Sequence, residues 1–235
     1  MSTTRTEAAA PTATDRTPGI LLEVWSDVVC PWCYLGKRRL EHAIAAFERP
    51  ALVEVRYRSY ELDPRTPVGE GVPVYDYLGR RYGGGPEAGR AMSARVARAA
   101  GEEGLRMDFD RAVWTNTFDA HRMVHMGLAQ GGPALQGAVK ERLFAAHFEE
   151  GKVLDDISTL QRLGAEAGLD EHVLAAVLAS DDYADDVRAD EAAARELGIT
   201  TVPFVVANRS VALSGAQPVE VFAQLLHQAW RETGS

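Results

Sequence analysis

Strand-like sequence occurs at only two places in this chain, one near each end. Residues 20–25 (ILLEVW) form a short, mostly apolar run, the pattern of a buried strand. Val53, Val55 and Tyr57 alternate with Glu54, Arg56 and Arg58, a period of two that fits a half-buried strand. Between them Leu40, Ala43, Ile44 and Phe47 recur at helical spacing, and Pro50 ends that helix. Strand, helix, strand over so short a stretch is a βαβ unit, with parallel strands and a right-handed crossover. The strand pattern returns only at 202–207 and 211–213. Asn208-Arg209 is the tight turn between them, and Asn tolerates the positive φ such a turn can require. A last helix starts near Pro218 and buries Phe222, Leu225, Leu226, Ala229 and Trp230 on one face. Neither end is long enough to stand alone, so the two most simply share one sheet.

What separates the two ends is helical. Residues 65–85 read as a loop, with Pro64, Pro67, Pro73 and the Gly83-Gly84-Gly85 run. Helices are predicted over 87–100, 116–130, 134–149, 157–167, 171–178 and 183–197, with Gly101, Gly151, Gly168 and Gly198 at C-cap positions. The organisation is then a disordered tail at 1–19, a core built from 20–61 and 198–235, and a helical insertion at 62–197. The tail is rich in Thr, Ala and Pro and lacks the apolar stretch of an export signal. The expected compartment is therefore the cytoplasm, where thiols are mostly kept reduced. No apolar run of the ~18 residues needed to span a membrane is present. A net charge of −9 argues against nucleic acid or an anionic membrane as the main partner.

The chain has two cysteines, Cys30 and Cys33, both in one Cys-Pro-Trp-Cys motif. A bridge closing so short a loop restricts the unfolded chain little, so the pair is there for chemistry. Pro31 disfavours helical geometry at Cys30 and suits the first helical position itself. The Cys30 sulfur is thereby placed at a helix N-terminus, where unpaired N–H groups and the macrodipole favour a thiolate. Cys33 lies one turn further in and is more shielded. The pattern assigns Cys30 as attacker and Cys33 as the thiol that resolves a mixed disulfide.

The chain resembles the DsbA family of thioredoxin-fold proteins, and within it the FrnE-like branch, which neighbours the 2-hydroxychromene-2-carboxylate isomerases. The matching stretches are WSDVVCPWCYLGKRRLE at 25–41, YRSYELDP at 57–64, NTFDAHR at 116–122 and GITTVPFVV at 198–206. The resemblance implies an α/β, thioredoxin-like fold (βαβ…ββα) with a large helical insertion. It implies thiol–disulfide exchange with thiol or disulfide substrates, protein or small molecule. No metal or dissociable cofactor is needed, since the Cys30–Cys33 disulfide carries the electrons. In the family a cis proline faces the dithiol and the residue before it binds substrate backbone; these roles fall on Pro203 and Val202. Trp32, Asn116, His121 and Arg122 complete the implied substrate-binding set. Trp32 replaces the histidine of the better-known periplasmic members, which implies a less oxidising dithiol. A homodimer is compatible with the sequence but not indicated by it.

Other readings compete for the same residues. Cys30-x2-Cys33 with His121-x3-His125 has zinc-ligand spacing, although the two halves lie far apart in the chain. Thiol-dependent isomerisation of a small aromatic substrate is the second alternative; those isomerases generally have serine where this chain has Cys30. Residues 116–122 either line the cleft or form a helix N-cap followed by a solvated face. Asp27 is either a proton acceptor near Cys33 or a loop carboxylate.

Overall fold

The computed structural model describes residues 19–233; the tail expected at 1–19 lies outside these residues except for Gly19. The chain runs β1 (Ile20–Ser26), α1 (Pro31–Ala46), a 3-10 turn (Pro50–Leu52), β2 (Val53–Ser59), β3 (Val72–Pro73), α2 (Val74–Tyr82) and α3 (Gly85–Glu102). It continues with β4 (Val113–Trp114), α4 (Phe118–Phe148), α5 (Ile157–Ala167), α6 (Glu171–Leu178), α7 (Ala184–Glu196), β5 (Phe204–Ala207), β6 (Val211–Ser214) and α8 (Val219–Thr233).

Both ends contribute to one four-stranded sheet of order β2-β1-β5-β6. β1 and β2 are parallel, with Ile20 opposite Val53 and Ser26 opposite Ser59. β5 runs antiparallel to β1, and β6 antiparallel to β5. The β5–β6 turn has Asn208 and Arg209 both at positive φ, 49° and 57°. Asn208 Oδ1 also accepts from the Leu21 backbone N–H at 2.8 Å, which ties the hairpin to β1. β2 is an edge strand, and Gln136 of α4 closes on it: its side chain accepts from Tyr57 N–H and donates to Tyr57 C=O, each at 2.9 Å.

The buried apolar residues form two clusters. One joins the sheet, α1 and α8 to α4, α5 and α6 through Leu22, Val24, Leu40, Phe222, Met123 and Leu143. The other holds Cys30 and Cys33 together with Trp25, Tyr34, Trp114, Phe144, Phe148 and Val202. The dithiol is thus part of the packing between the sheet and the insertion. Among the described residues no helix is long and apolar enough to cross a membrane.

Several predicted elements differ from the structure. The stretch read as loop contains α2, because its prolines and glycines flank the helix instead of interrupting it: α2 follows Pro73 and stops at Gly83, at φ 82°. The first helix ends at Ala46 with Phe47 as its C-cap, and Pro50 opens the following 3-10 turn. The fifth strand begins at Phe204, since Val202 and Pro203 form a cis peptide outside the ladder. The two helices predicted over 116–149 are two segments of α4, divided where Gly131 and Gly132 leave helical geometry; Gly132 has φ 68°, a conformation that favours glycine.

Candidate active site

The site begins at the junction of β1 and α1. Cys30 is the N-cap of α1, with φ −90° and ψ 111°, the extended geometry a following proline demands. Pro31 takes the first helical position. The Cys30 carbonyl accepts from Cys33 N–H at 3.0 Å and Tyr34 N–H at 3.3 Å, which winds the first turn and sets Cys33 inside it. The Cys30 side chain therefore projects from the helix start, where backbone N–H groups lack intrahelical acceptors.

The loop before β5 closes over this sulfur. The Cys30 thiol lies 3.7 Å from the Val202 carbonyl, its hydrogen-bond acceptor, and the Val202–Pro203 peptide is cis. Within the motif Trp32 is 39% exposed, while Cys30 and Cys33 are 4% and 2% exposed. Trp32 is thus the part of the motif that solvent meets first. Both cysteines are free thiols. Burial pushes the Cys33 thiol well above its ordinary value, and the adjoining Cys30 thiol pushes it further. A backbone hydrogen bond from Asp27 and the charge of Lys140 oppose this without cancelling it.

Behind the dithiol lies a set of buried charges. Asp27 is 1% exposed. Its Oδ2 accepts from Leu62 N–H at 2.7 Å, and its Oδ1 stands 3.3 Å from His121 Nε2. Burial works against its ionisation, but His121, Leu62 and Lys140 together hold the carboxyl below its usual range. Burial also lowers His121, against the pull of Asp27. A neutral His121 donates through Nε2, which leaves Nδ1 as a buried acceptor with no partner among the described residues. Lys140 comes from the second segment of α4 and is fully buried. Its Nζ donates to the Ser26 carbonyl at 3.1 Å. Burial lowers Lys140 to about 8, while Asp27, Cys33 and Cys30 favour its charged form.

The structure brings Cys30, Cys33, Trp32, Val202 and Pro203 to one place, with His121 reaching it through Asp27. It engages the other two implied substrate-binding residues elsewhere. Asn116 donates to the Thr66 carbonyl at 2.8 Å and accepts from Phe118 N–H at 2.9 Å, an Asx turn just before α4, whose N-cap is Thr117. Arg122 is 3% exposed. Its guanidinium donates to Asp119 and to the carbonyls of Val177, Ser180 and Asp182, so it clamps the α6–α7 connection. Both side chains are thus engaged by the fold itself. The zinc reading fails: His125 Nε2 stands 3.0 Å from Ser59 Oγ and 3.1 Å from Asp190 Oδ2, and no cluster of metal-ligating side chains forms among the described residues. Lys140 escaped sequence reading. The one signal was a lysine inside an otherwise apolar stripe, with Leu143, Phe144 and His147 a turn or two further along α4.

The chain is similar to known proteins over most of its length. The DSBA-like thioredoxin domain model matches residues 21–227. A crystal structure of a probable DsbA oxidoreductase from Streptomyces coelicolor is 41% identical, covers 91% of each chain and superposes with a TM-score of 0.85. The cytosolic disulfide reductase DsbM from Pseudomonas aeruginosa is similar in fold, at 22% identity over 90% of this chain and 98% of its own, with a TM-score of 0.61. A 2-hydroxychromene-2-carboxylate isomerase gives a TM-score of 0.67 at 16% identity over 91% of this chain and 98% of its own. With a dithiol at a helix start and a DSBA-like match over nearly the whole described chain, this protein belongs to the DsbA-like thioredoxin family and is a disulfide oxidoreductase.

Proposed function

We propose that the protein exchanges disulfides through Cys30 and Cys33, with Cys30 attacking and Cys33 resolving. The observation that carries this is the unequal setting of the two sulfurs. Cys30 caps the helix beneath the Val202 carbonyl, while Cys33 is buried with its thiol pushed up. In the reducing direction the Cys30 thiolate attacks a substrate disulfide; one substrate sulfur leaves as a thiolate and the other is held in a mixed disulfide. Cys33 loses its proton and attacks Cys30, forming the enzyme disulfide and releasing the second substrate thiolate. Two electrons pass to the substrate and both leaving sulfurs take up protons. The oxidising direction is the reverse, and no dissociable cofactor enters it.

Trp32, exposed beside the sulfur, and Val202, with its carbonyl at 3.7 Å, are the substrate-side contacts; Pro203 shapes that platform. Substrates are thiols or disulfides of small molecules or proteins. A glutathione complex of the DsbM reductase, at 24% identity and a TM-score of 0.60, supports the small-molecule class. The cytosolic setting of that reductase supports a cytoplasmic location. The motifs at 25–41 and 116–122 support the FrnE-like branch.

Equilibration with glutathione buffers, followed by alkylation and mass measurement, tests the reading. The Cys30–Cys33 pair should cycle between disulfide and dithiol, and Cys30→Ser should abolish exchange. A pair that cannot be oxidised would overturn it. Thiol-dependent turnover of an aromatic substrate that survives Cys33→Ser would favour the isomerase instead.

A further inference from the structure

Three of the 25 basic residues are lysines: Lys37, Lys140 and Lys152. Lys140 is fully buried. An ammonium has three donors, and here one meets an acceptor, the Ser26 carbonyl. No carboxylate stands within ion-pair distance among the described residues. The Phe144 and Tyr57 rings lie close to it, with centroids 5.4 Å and 6.0 Å from Nζ. A buried cation so poorly paired costs stability, so this site invites a reason. Ser26, whose carbonyl holds Nζ, lies four residues before Cys30 at the end of β1, and Phe144, whose ring lies beside Nζ, packs in the same buried cluster as Cys30 and Cys33.

We propose that Lys140 is the counter-charge of the dithiol, a positioning residue that stabilises the negative charge on the leaving sulfur of Cys33 and links the redox state to a proton outside the motif. The inference rests on the exchange reading above. When a substrate thiolate attacks Cys30 of the enzyme disulfide, the Cys30–Cys33 bond breaks and its electron pair goes to the Cys33 sulfur. That sulfur becomes a buried anion until it gains a proton. Lys140 faces it across a medium of low polarity, where opposite charges attract more strongly than in water. The groups around Lys140 act in both directions. Asp27 from the β1–α1 connection, then Cys33 and Cys30, favour its charged form, and Lys37 of α1 disfavours it. Lys140 in turn disfavours a charge on His121. Tyr57 of β2 is kept protonated by burial and adds no charge.

The choice of lysine in an arginine-rich chain fits such a role, because a guanidinium does not release a proton in proteins and an ammonium does. In the reduced protein Lys140 titrates at about 8. In the disulfide the two sulfurs no longer favour its charge, so its midpoint falls. Between the two midpoints, reduction loads one extra proton onto Lys140; above and below that window it does not.

With so few lysines, uniform 13Cε labelling of lysine in the intact protein resolves Lys140 by NMR, assigned from Lys140→Met. Titration of the reduced and oxidised wild type should give midpoints about one unit apart or more, the oxidised one lower. The equilibrium with glutathione, followed against pH, should change its slope by one proton within that window, up to about tenfold per pH unit, about 30 mV for this couple. Lys140→Met should lose that change of slope. Equal midpoints in both redox states, with a pair that cycles normally, would overturn the inference and leave the exchange reading intact. A pair that cannot be oxidised overturns both. The NMR comparison needs a variant only for assignment, so a poorly folding Lys140→Met leaves it decisive once Lys37→Met and Lys152→Met assign the other two signals.

Discussion

The two sides of the dithiol are built by different rules. On the substrate side stand Trp32, the helix start and the Val202–Pro203 platform, all within two short stretches of chain. The groups there are backbone atoms, a proline ring and an exposed indole, none of them charged. The inner side holds Asp27, His121 and Lys140, with Cys33 against them, all buried. These come from the β1–α1 connection and from two separate turns of α4. On the proposed reading the outer side gives access and geometry, whereas the inner side sets the charge state of the sulfurs. An enzyme that exchanges disulfides needs the two to differ, because one sulfur must meet substrate while the other waits for its turn.

The strongest test of that difference is a pair of traps. Cys33→Ser should accumulate mixed disulfides through Cys30, visible on a non-reducing gel and lost with reductant. No other cysteine exists to release them. Cys30→Ser should accumulate few, because Cys33 is buried and disfavoured as a thiolate. Equal trapping by the two variants would show that the two sides are interchangeable.

Breaking the inner side should cost stability. Asp27→Ala removes the acceptor of Leu62 N–H and the partner of His121, leaving both buried. A loss of about 3–5 kcal/mol is expected, as for other buried pairs that lose one member. Denaturant unfolding would measure it, and a loss below about 1 kcal/mol, the scale of exposed ion pairs, would mean that the charges behind the dithiol are not closely coupled.

How much of this was legible in the sequence follows the same division. The sheet, its parallel βα unit and the closing hairpin were readable because period and turn chemistry are local: Val53 to Arg58 alternate, and Asn208 announces its turn. The outer side of the site was readable for the same reason, since Cys30, Pro31 and Cys33 are contiguous and the resemblance supplied Pro203. The inner side was not. Lys140 follows Cys33 by more than a hundred residues, and its meaning depends on which face of α4 meets β1. Asn116 and Arg122 show the opposite case. Their motif marked them for ligand contact, while the fold engages them in an Asx turn and a loop clamp. The α2 helix was hidden by flanking prolines and glycines that read as loop.

Acid sensitivity separates the inner side from the rest of the fold. His147, also on α4, is fully buried and held neutral, its midpoint lowered by burial from 6.5 to about 4. The unfolded chain therefore binds a proton between those values that the folded chain refuses. Stability from this source is complete above 6.5 and is lost as the pH falls toward 4, by roughly 3 kcal/mol. Asp27 acts with the same sign at lower pH, since its depressed carboxyl must be protonated as the fold is lost. His147→Phe should flatten the fall in unfolding free energy over the His147 window. An unchanged pH profile would mean that the acid sensitivity arises elsewhere.

The smallest effect expected is on the outer side, at the contact between α1 and the platform. Gly36 follows Cys33 by about one helical turn, and a Cβ built on it would lie 2.9 Å from Pro203 Cγ and 3.5 Å from the Ala216 Cα. Glycine at this position lets α1 approach the proline and keeps the Cys30 thiol at 3.7 Å from the Val202 carbonyl. In Gly36→Ala the ring must give by a few tenths of an ångström, or the helix must move back. The strain of an added methyl in a packed site is about 1–3 kcal/mol, and alanine returns up to about 1 kcal/mol through its better helix propensity. The net loss in unfolding free energy should therefore stay near the lower end, about 1 kcal/mol. Because the displaced atoms belong to the platform, the rate of exchange should fall by more than stability does, while the equilibrium with glutathione stays nearly fixed. A variant in which rate and equilibrium change together would mean that the platform and the charged inner side are not separable.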